Sequence, residues 1–414
     1  MSEVLEQEWK TMDPDTIALS DIDLVDPHLF HNDFHVKIFE RLRKEAPVHY
    51  QRDHEVVGSF WNVTRYDDIM AVDTDPQTYS SEGSITANDQ DEEFPLPMFI
   101  AMDPPKHDRQ RKEVSSVVGP SNLATMESTI RKRVSDILDS LPRNQEFNWA
   151  DKVSIELTTQ MLATLFDFPF EDRRKLTRWS DVATADEQSG IIESEDQRRA
   201  ELIECLEYFT GLWNERVNSP PKNDLVSMLA HGESTKNMDP VEYLGNLILL
   251  IVGGNDTTRN SISGGIKFLN ENPAEYQKLR DNHKLIPNMV SEIIRYQTPL
   301  AYMRRTALKD TLLSGQKIKK GDKVLMWYVS GNRDSSAISN ADSFLIDRKD
   351  ARKHLSFGFG IHRCMGNRLA EMQLRVLWEE ILKRFNKIEM VGEVTMVNSS
   401  FVKGYSHLPV IIRN

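Results

Sequence analysis

Apolar residues recur every three or four positions along most of the chain beyond residue 104, and this spacing is typical of amphipathic α-helices. The predicted helices, delimited by proline, glycine and capping residues, cover residues 123–141, 153–165, 196–218, 240–270, 273–282, 287–297 and 367–385. Aromatic and β-branched residues predict a β-hairpin from 47–50 and 60–66, and a second hairpin from 401–402 and 408–412 around Gly404. The pattern therefore predicts a mainly α protein with a minor β region.

We expect one large domain at residues 41–414, because no internal repeat, low-complexity tract or Gly/Ser linker divides the chain. Residues 1–40 are predicted to be an N-terminal extension packed on that domain. The segment 1–20 is acidic and is neither a secretory signal nor a membrane anchor, and no other stretch reaches roughly eighteen apolar residues without a charge. A cytoplasmic protein without a membrane span is therefore expected.

The formal net charge of −13 argues against nucleic acid as a partner. The charge is unevenly distributed, because residues 351–388 contain eight Lys or Arg against three Glu. This cationic block is either a solvated helix face or a docking surface that attracts an acidic protein by opposite charge. Composition does not distinguish the two.

The cationic block contains Cys364, in the run Phe-Gly-Phe-Gly-Ile-His-Arg-Cys-Met-Gly at 357–366. The chain has one other cysteine, Cys205, so a disulfide framework or an all-cysteine zinc or iron–sulfur site has too few ligands. So few cysteines fit a reducing compartment. A single thiolate can serve as an axial ligand of haem iron or as an enzymic nucleophile, and both remain open at this point.

The longest predicted helix carries the most unusual polar sequence. Residues 247–252 are apolar on all sides, so the helix should run through the core. Gly253 and Gly254 follow, although a glycine in a helix interior costs about 1 kcal/mol relative to alanine. Asp256 and Thr257 come shortly after. The glycines could admit a neighbouring helix, or they could make room for a ligand while the threonine hydroxyl bonds a carbonyl one turn back.

Further polar pairs lie elsewhere in the chain. Glu292 and Arg295 are spaced i, i+3 on a predicted helix, and His107 and Arg111 share a face at i, i+4. Arg305 follows an extended break in the chain. Each could belong to an ordinary structural ion pair, but the cations together could hold two carboxylates of a bound cofactor.

Taken in order along the chain, these segments resemble those of the cytochrome P450 superfamily, the haem-thiolate monooxygenases. The resemblance runs from about residue 40 to the C-terminus and implies one large, mainly α domain that encloses haem b. A cysteine in the place of Cys364 is the axial thiolate ligand of the haem iron in this family. Phe357 would shield the sulfur, while Gly358 and Gly366 would let the backbone lie close against the flat macrocycle.

The resemblance also implies roles for the other candidates. The positions that hold the haem propionates are His107, Arg111, Arg305 and His362. Glu292 and Arg295 would form a structural ion-pair network with residues 332–334. Asp256 and Thr257 match the acid–alcohol pair that delivers protons to bound dioxygen, which argues against the peroxide-using branch of the family. The implied reaction inserts one oxygen atom of O2 into a C–H bond.

The residues expected by resemblance to face the substrate are nearly all apolar: Phe99, Leu249, Val252, Gly253, Leu300, Met303 and Phe401. Each could instead be ordinary core. The segments 367–380 and 401–405 are most similar to the bacterial terminal alkane and fatty-acid ω-hydroxylase subfamily, which implies oxidation of the terminal methyl of a medium-chain alkane or fatty acid. A terpenoid or steroid hydroxylase is the alternative within the family. A non-catalytic haem-binding sensor and a cysteine-nucleophile hydrolase are the alternatives outside it.

Two further expectations concern access and electrons. The acidic stretch 180–196 is predicted to be a loop that acts as a lid over the entrance. The chain contains no flavin or iron–sulfur reductase segment, so electrons from NAD(P)H are expected to arrive through separate redox proteins. The simplest donor is a small acidic ferredoxin, served by its reductase, that docks on the cationic block near Cys364.

Overall fold

The computed structural model describes residues 13–185 and 189–413, and helices predominate in them. None of the described helices is long and apolar enough to cross a membrane. The α-helices are α1 (His35–Glu45), α2 (Tyr66–Asp73), α3 (Lys106–Ser115), α4 (Pro120–Asp139), α5 (Glu156–Phe166), α6 (Arg174–Thr184), α7 (Glu195–Val217), α8 (Leu225–His231), α9 (Pro240–Glu271), α10 (Pro273–Asp281), α11 (Ile286–Gln297), α12 (Tyr328–Gly331) and α13 (Asn367–Arg384). A π-helical turn, Ala150–Ile155, leads into α5.

The helices predicted from apolar spacing are all present, with ends within three residues of the predicted ones. Their starts follow the signals expected for helix N-termini. In α9, Pro240 occupies the first helical position and the Asp239 side chain accepts a hydrogen bond from the Val241 amide. The prediction of a mainly α protein is confirmed.

The β structure is limited to short strands. They are β1 (Val48–His54), β2 (Gly58–Val63), β3 (Tyr79–Ser80), β4 (Glu146–Asn148), β5 (Met303–Ala307), β6 (Thr311–Leu313), β7 (Gln316–Ile318), β8 (Lys323–Met326), β9 (Ile388–Met390), β10 (Thr395–Met396), β11 (Tyr405–His407) and β12 (Pro409–Ile412). The largest sheet has the order β1-β2-β8-β5-β3, with β2 and β8 parallel. The predicted N-terminal hairpin is confirmed as the antiparallel pair β1–β2, although β2 ends at Val63.

The predicted C-terminal hairpin is wrong. Val402 forms an isolated antiparallel bridge with Leu300, and β12 pairs with β4 and β9 instead of with the segment before Gly404. Local strand composition indicates extended backbone but does not identify the partner. Here the partners come from distant parts of the chain.

Helix α9 forms the centre of the domain and contacts α5, α6 and α11. Leu244, Leu247 and Ile251 on it are fully buried. Its two glycines differ in their surroundings. A Cβ on Gly254 would lie 2.7 Å from Leu162 Cδ2 of α5, so this glycine admits a neighbouring helix. A Cβ on Gly253 would meet nothing within 4 Å, so this glycine borders open space, and its role beside a ligand stays a prediction.

The N-terminal residues that are described pack against the domain. Phe30 and Phe39 lie with ring centroids 6.1 Å and 5.1 Å from Trp327, in a cluster that also includes Tyr302 and Phe401. Helix α1 continues across residue 40, where the extension was predicted to end. Residues 1–12 lie outside the described part, so the proposed division at residue 40 stays a prediction.

The loop predicted at 180–196 begins later than expected, because α6 extends to Thr184. The Ser180 hydroxyl donates to Asp256 at 3.1 Å, and Asp181 pairs with Arg259 at 2.7 Å, which fixes this end of α6 on α9. Helix α7 then begins at Glu195, where the Ser194 side chain caps it. Asp186 and Glu187, part of the predicted acidic lid, lie outside the described residues.

The Glu292–Arg295 pair is at the centre of a buried network. Arg295 Nε and Nη2 each donate to the Glu292 carboxylate at 2.7 Å, and its guanidinium also donates to the carbonyls of Asn332 and Ala341. Arg348 donates to the same carboxylate at 3.0 Å. The network joins α11 to the irregular segment that precedes the cysteine run.

Candidate active site

The cysteine run 357–366 forms a tight loop before α13. The Cys364 amide donates to the Phe357 carbonyl at 2.7 Å, which closes the loop. Gly358 and Gly360 have φ values of +61° and +66°, which favour glycine. A Cβ on Gly360 would also lie 2.5 Å from the Asp73 carbonyl oxygen, so the loop packs directly on the end of α2.

Cys364 lies deep in the protein, and its accessible surface faces an internal cavity. Burial raises the pKa of its thiol. The amides of Gly366 and Asn367 at the start of α13, and the charges of Arg111 and Arg363, act in the opposite direction. These donors would stabilise a thiolate once a metal ion binds it.

The cavity and its opening to solvent together contain about 1500 Å³ of empty space. One wall is formed by the cysteine loop and α13, including Phe357, Cys364 and Leu369. Another wall is formed by α9, where Gly253 and Thr257 face the space. The cavity is therefore bounded by the thiol on one side and by the glycine–hydroxyl segment on another.

The polar groups predicted to hold cofactor carboxylates gather at this cavity. Arg111, Arg305 and His362 line it, and the His107 ring lies 4.2 Å from the His362 ring. His107 Nε2 and both ring nitrogens of His362 are buried without a hydrogen-bond partner in the described residues. A buried polar group left unsatisfied costs about 1–3 kcal/mol, so these nitrogens indicate that a polar ligand belongs beside them.

Both imidazoles are held neutral in this environment. Burial lowers the pKa of His362 to about 2, and the charge of Arg305 adds to the effect. Burial also lowers the pKa of His107, while a hydrogen bond with Asp108 partly opposes this. A neutral imidazole still donates one hydrogen bond, and a bound carboxylate would favour that donor.

Thr257 and Asp256, the predicted acid–alcohol pair, lie in different environments. Thr257 faces the cavity, and its hydroxyl donates to the Gly253 carbonyl at 3.1 Å, as the helical spacing predicts. Asp256 does not line the cavity and is fully buried. Its Oδ1 accepts hydrogen bonds from Ser180 and Asn255, and Arg259 lies 3.0 Å away. Burial raises the pKa of Asp256, although Arg259 lowers it.

Five of the seven residues expected to face the substrate line the cavity, namely Phe99, Leu249, Gly253, Leu300 and Met303. Val252 and Phe401 are not part of the described lining. Val252 packs against the main hydrophobic core, and the Phe401 ring lies 5.3 Å from Tyr302 in the cluster behind the cavity wall. Phe401 was placed from the terminal hairpin, and the error in that hairpin explains its different position.

Sequence reasoning missed several residues of this site. Asp73 and Tyr328 line the cavity, and Asp73 accepts a hydrogen bond from Arg305. Arg259 connects Asp256 to Asp181. No local pattern marks Asp73 and Tyr328, because their partners lie far away in the chain. Arg259 is one helical turn from Asp256, and this i, i+3 spacing could have indicated the pair.

This donor set fits a haem group. A lone cysteine faces a largely apolar cavity. Four nitrogen-bearing side chains, each of which lines the cavity or has an unsatisfied ring nitrogen, stand where two carboxylates could bind. Cys364 would be the iron ligand, and His107, Arg111, Arg305 and His362 would hold the propionates. Fold and site together define a haem-thiolate enzyme.

Comparison with known proteins agrees with this class. The family model for cytochrome P450 matches residues 196–404. The chain is 34% identical over 404 residues to linalool 8-monooxygenase of Pseudomonas putida, and this alignment covers 94% of this chain and 98% of that protein. It is 32% identical over 413 residues to the methyl-branched lipid omega-hydroxylase of Mycobacterium tuberculosis, with 96% of each chain covered.

A solved structure of CYP153D17 from Sphingomonas sp. PAMC 26605 matches with a TM-score of 0.91 and 48% identity, covering 96% of this chain and 100% of that one. The chain belongs to the cytochrome P450 superfamily. It is a P450 monooxygenase, as the cysteine loop and its companion segments predicted.

Proposed function

We propose that this P450 oxidises the terminal methyl group of a medium-chain alkane or fatty acid. The observation that carries the proposal is the apolar character of the cavity away from the cysteine loop, where Phe99, Leu249, Leu300 and Met303 form the surface. An apolar surface suits a hydrocarbon chain and gives a polar group no partner. The similarity to a methyl-branched lipid omega-hydroxylase supports oxidation at the end of a lipid chain.

Bound haem would supply the iron that activates O2, with electrons from NAD(P)H. The residues of this chain would bring protons to the oxygen side. Asp181, which is 28% exposed, pairs with Arg259 at 2.7 Å, and Arg259 lies 3.0 Å from Asp256. The next residue, Thr257, presents its hydroxyl to the cavity. We infer that Asp256 passes protons to the Thr257 hydroxyl. Arg259 stays protonated and holds the Asp181 and Asp256 carboxylates in place between the surface and the cavity.

Titration of the haem-loaded protein with octane, dodecanoic acid and linalool tests the substrate class. We expect octane or dodecanoic acid to shift the haem spin state at micromolar concentration and to yield mainly the terminal alcohol by mass spectrometry. Linalool should bind at least tenfold more weakly. Preferred binding and oxidation of linalool would instead support the terpenoid alternative, which the similarity to linalool 8-monooxygenase favours.

A matched pair of glycine variants shows where the chain binds. Gly253 and Gly211 are both helical glycines whose Cβ would meet nothing within 4 Å, but only Gly253 faces the cavity. Gly253→Val should weaken hydrocarbon binding by about tenfold or more, whereas Gly211→Val should leave it unchanged. Equal effects in the two variants would contradict binding beside α9.

We also propose that an acidic ferredoxin docks on the cysteine-loop side. The cationic block divides into two parts. Arg375, Lys383 and Arg384 pair with glutamates. Arg363 and Arg368 are exposed and make no ion pair with a described carboxylate, and Arg352, 80% exposed, lies 3.9 Å from Glu371. The block thus keeps two exposed cations without a described carboxylate partner, Arg363 and Arg368, close to Cys364 in the chain, where an electron donor would have to approach.

Charge reversal at this surface should slow electron transfer. Arg352→Glu and Arg368→Glu are expected to lower the rate of reduction by ferredoxin about tenfold at low ionic strength, with the difference shrinking as salt screens the attraction. Stopped-flow reduction over a range of salt concentrations measures this. Lys387→Glu is the matched control, because this exposed lysine lies beyond the far end of α13. A salt-independent rate, or the same loss in the control, would contradict docking here.

A further inference from the structure

Asp73, the last residue of α2, is a buried carboxylate at the junction of three elements. Its Oδ1 accepts a hydrogen bond from Arg305 of β5 at 2.9 Å. Its Oδ2 accepts from the Tyr328 hydroxyl of α12 at 3.0 Å and from the Phe359 amide of the cysteine loop at 2.7 Å. The side chain is 1% exposed, so these donors replace water almost completely.

The position of Asp73 relates it to the cofactor. It lines the cavity, and it is the one carboxylate among the described lining residues. Arg305, its partner, belongs to the group that would hold the propionates. Its other partner, the Phe359 amide, belongs to the loop that carries Cys364. A Cβ on Gly358 would lie 3.3 Å from Asp73 Oδ2, so the loop passes closely against this carboxylate.

The charges and hydrogen bonds around the Asp73 carboxylate favour a fixed geometry. Burial raises the pKa of Asp73, while Arg305, the Phe359 amide and the Tyr328 hydroxyl lower it. Burial and the Asp73 charge raise the pKa of Tyr328, so its hydroxyl stays a donor. A carboxylate with three donors, one of them a guanidinium, forms charge-assisted bonds that are about twice as strong as neutral ones.

We propose that Asp73 is a positioning residue that couples the propionate-binding group to the thiolate loop, and that it thereby controls haem retention and reduction potential. Asp73 orients Arg305 toward the cofactor and holds the first half of the cysteine loop at the same time. A change at one end of the cofactor site is thus transmitted to the other through a single side chain. This role does not depend on which substrate the enzyme oxidises.

The test compares Asp73→Asn with Asp67→Asn in the haem-loaded protein, because Asp67 is an exposed carboxylate on the same helix. Loss of haem to excess apomyoglobin should be about tenfold faster in Asp73→Asn. The reason is that the charge-assisted contacts of Asp73 with Arg305 and with the Phe359 amide are both weakened. The reduction potential should become more positive, because a negative charge beside the cofactor is removed. The control should match the wild type in both.

A second variant keeps the test informative if Asp73→Asn does not fold. Tyr328→Phe removes one neutral donor and no charge, and we expect a smaller acceleration of haem loss, of a few fold. The reduced, CO-bound spectrum should also show a larger fraction without thiolate ligation. If the variants melt at a lower temperature but lose haem at the wild-type rate, and if Asp73→Asn keeps the wild-type reduction potential, then Asp73 is only structural. That result would overturn the proposal.

Discussion

Replacing Arg295 with alanine is expected to lower the free energy of unfolding by about 3–5 kcal/mol, because the change leaves buried charge and buried carbonyls without their donor. Arg295 and Glu292 are both fully buried, and the arginine donates to three backbone carbonyls as well as to the carboxylate. A loss of this size is a large part of the stability of a typical domain. Equilibrium denaturation and the haem content of the purified protein would measure it.

Arg131 provides the matched comparison. It also pairs with two glutamates of α13, Glu379 and Glu380, but its side chain is 32% exposed. Arg131→Ala should cost about 1 kcal/mol or less, because water screens the pair and can replace it. If Arg295→Ala and Arg131→Ala lowered the free energy of unfolding equally, burial would not explain why the Arg295 network is strong.

Replacing Asp256 with asparagine should lower turnover by about 100-fold while substrate binding and haem content stay close to normal. Asparagine keeps the shape of the side chain and can still bond Ser180, but it cannot take up and release a proton. Positioned proton transfer commonly contributes 10²–10⁴-fold to rate. Because Asp256 does not line the cavity, the spin-state titration should be unaffected. Single-substrate kinetics in H2O and D2O would measure the effect.

Ser180→Ala is the control for that experiment. It removes one hydrogen bond to Asp256 but keeps the carboxylate and its contact with Arg259. We expect less than a tenfold loss of turnover. A similar loss in the two variants, or a loss in Asp256→Asn that follows reduced substrate affinity, would contradict a role in proton delivery.

The cysteine side and the oxygen side of the cavity differ in how their residues are held. Cys364 lies in a loop closed by its own backbone and supported by Asp73. Thr257 lies in the middle of a 32-residue helix whose neighbours are packed on both sides. The position of Cys364 is therefore maintained by a few polar contacts, which makes Asp73 and Arg305 sensitive points. The position of Thr257 is maintained by the core itself.

Much of the fold could be predicted from the sequence because helices depend on contacts close together in the chain. Apolar spacing and proline or aspartate signals located α4, α7, α9 and α13 to within three residues. The same reasoning identified Glu292 with Arg295 and Thr257 with the Gly253 carbonyl, because each pair is one helical turn apart. The cysteine loop was recognisable because its glycines and its cysteine are adjacent.

Only the tertiary structure decided which distant segments meet. Strand pairing is non-local, so the C-terminal hairpin was predicted wrongly and Phe401 was assigned to the wrong surface. The same limit applies to Asp73, which meets Arg305 and Phe359 across 232 and 286 residues of chain. Residue type and spacing determined the kind of chemistry that this protein performs. Packing determined which side chains gather around the cavity, because a buried charge is defined by the partners that surround it and not by its neighbours in sequence.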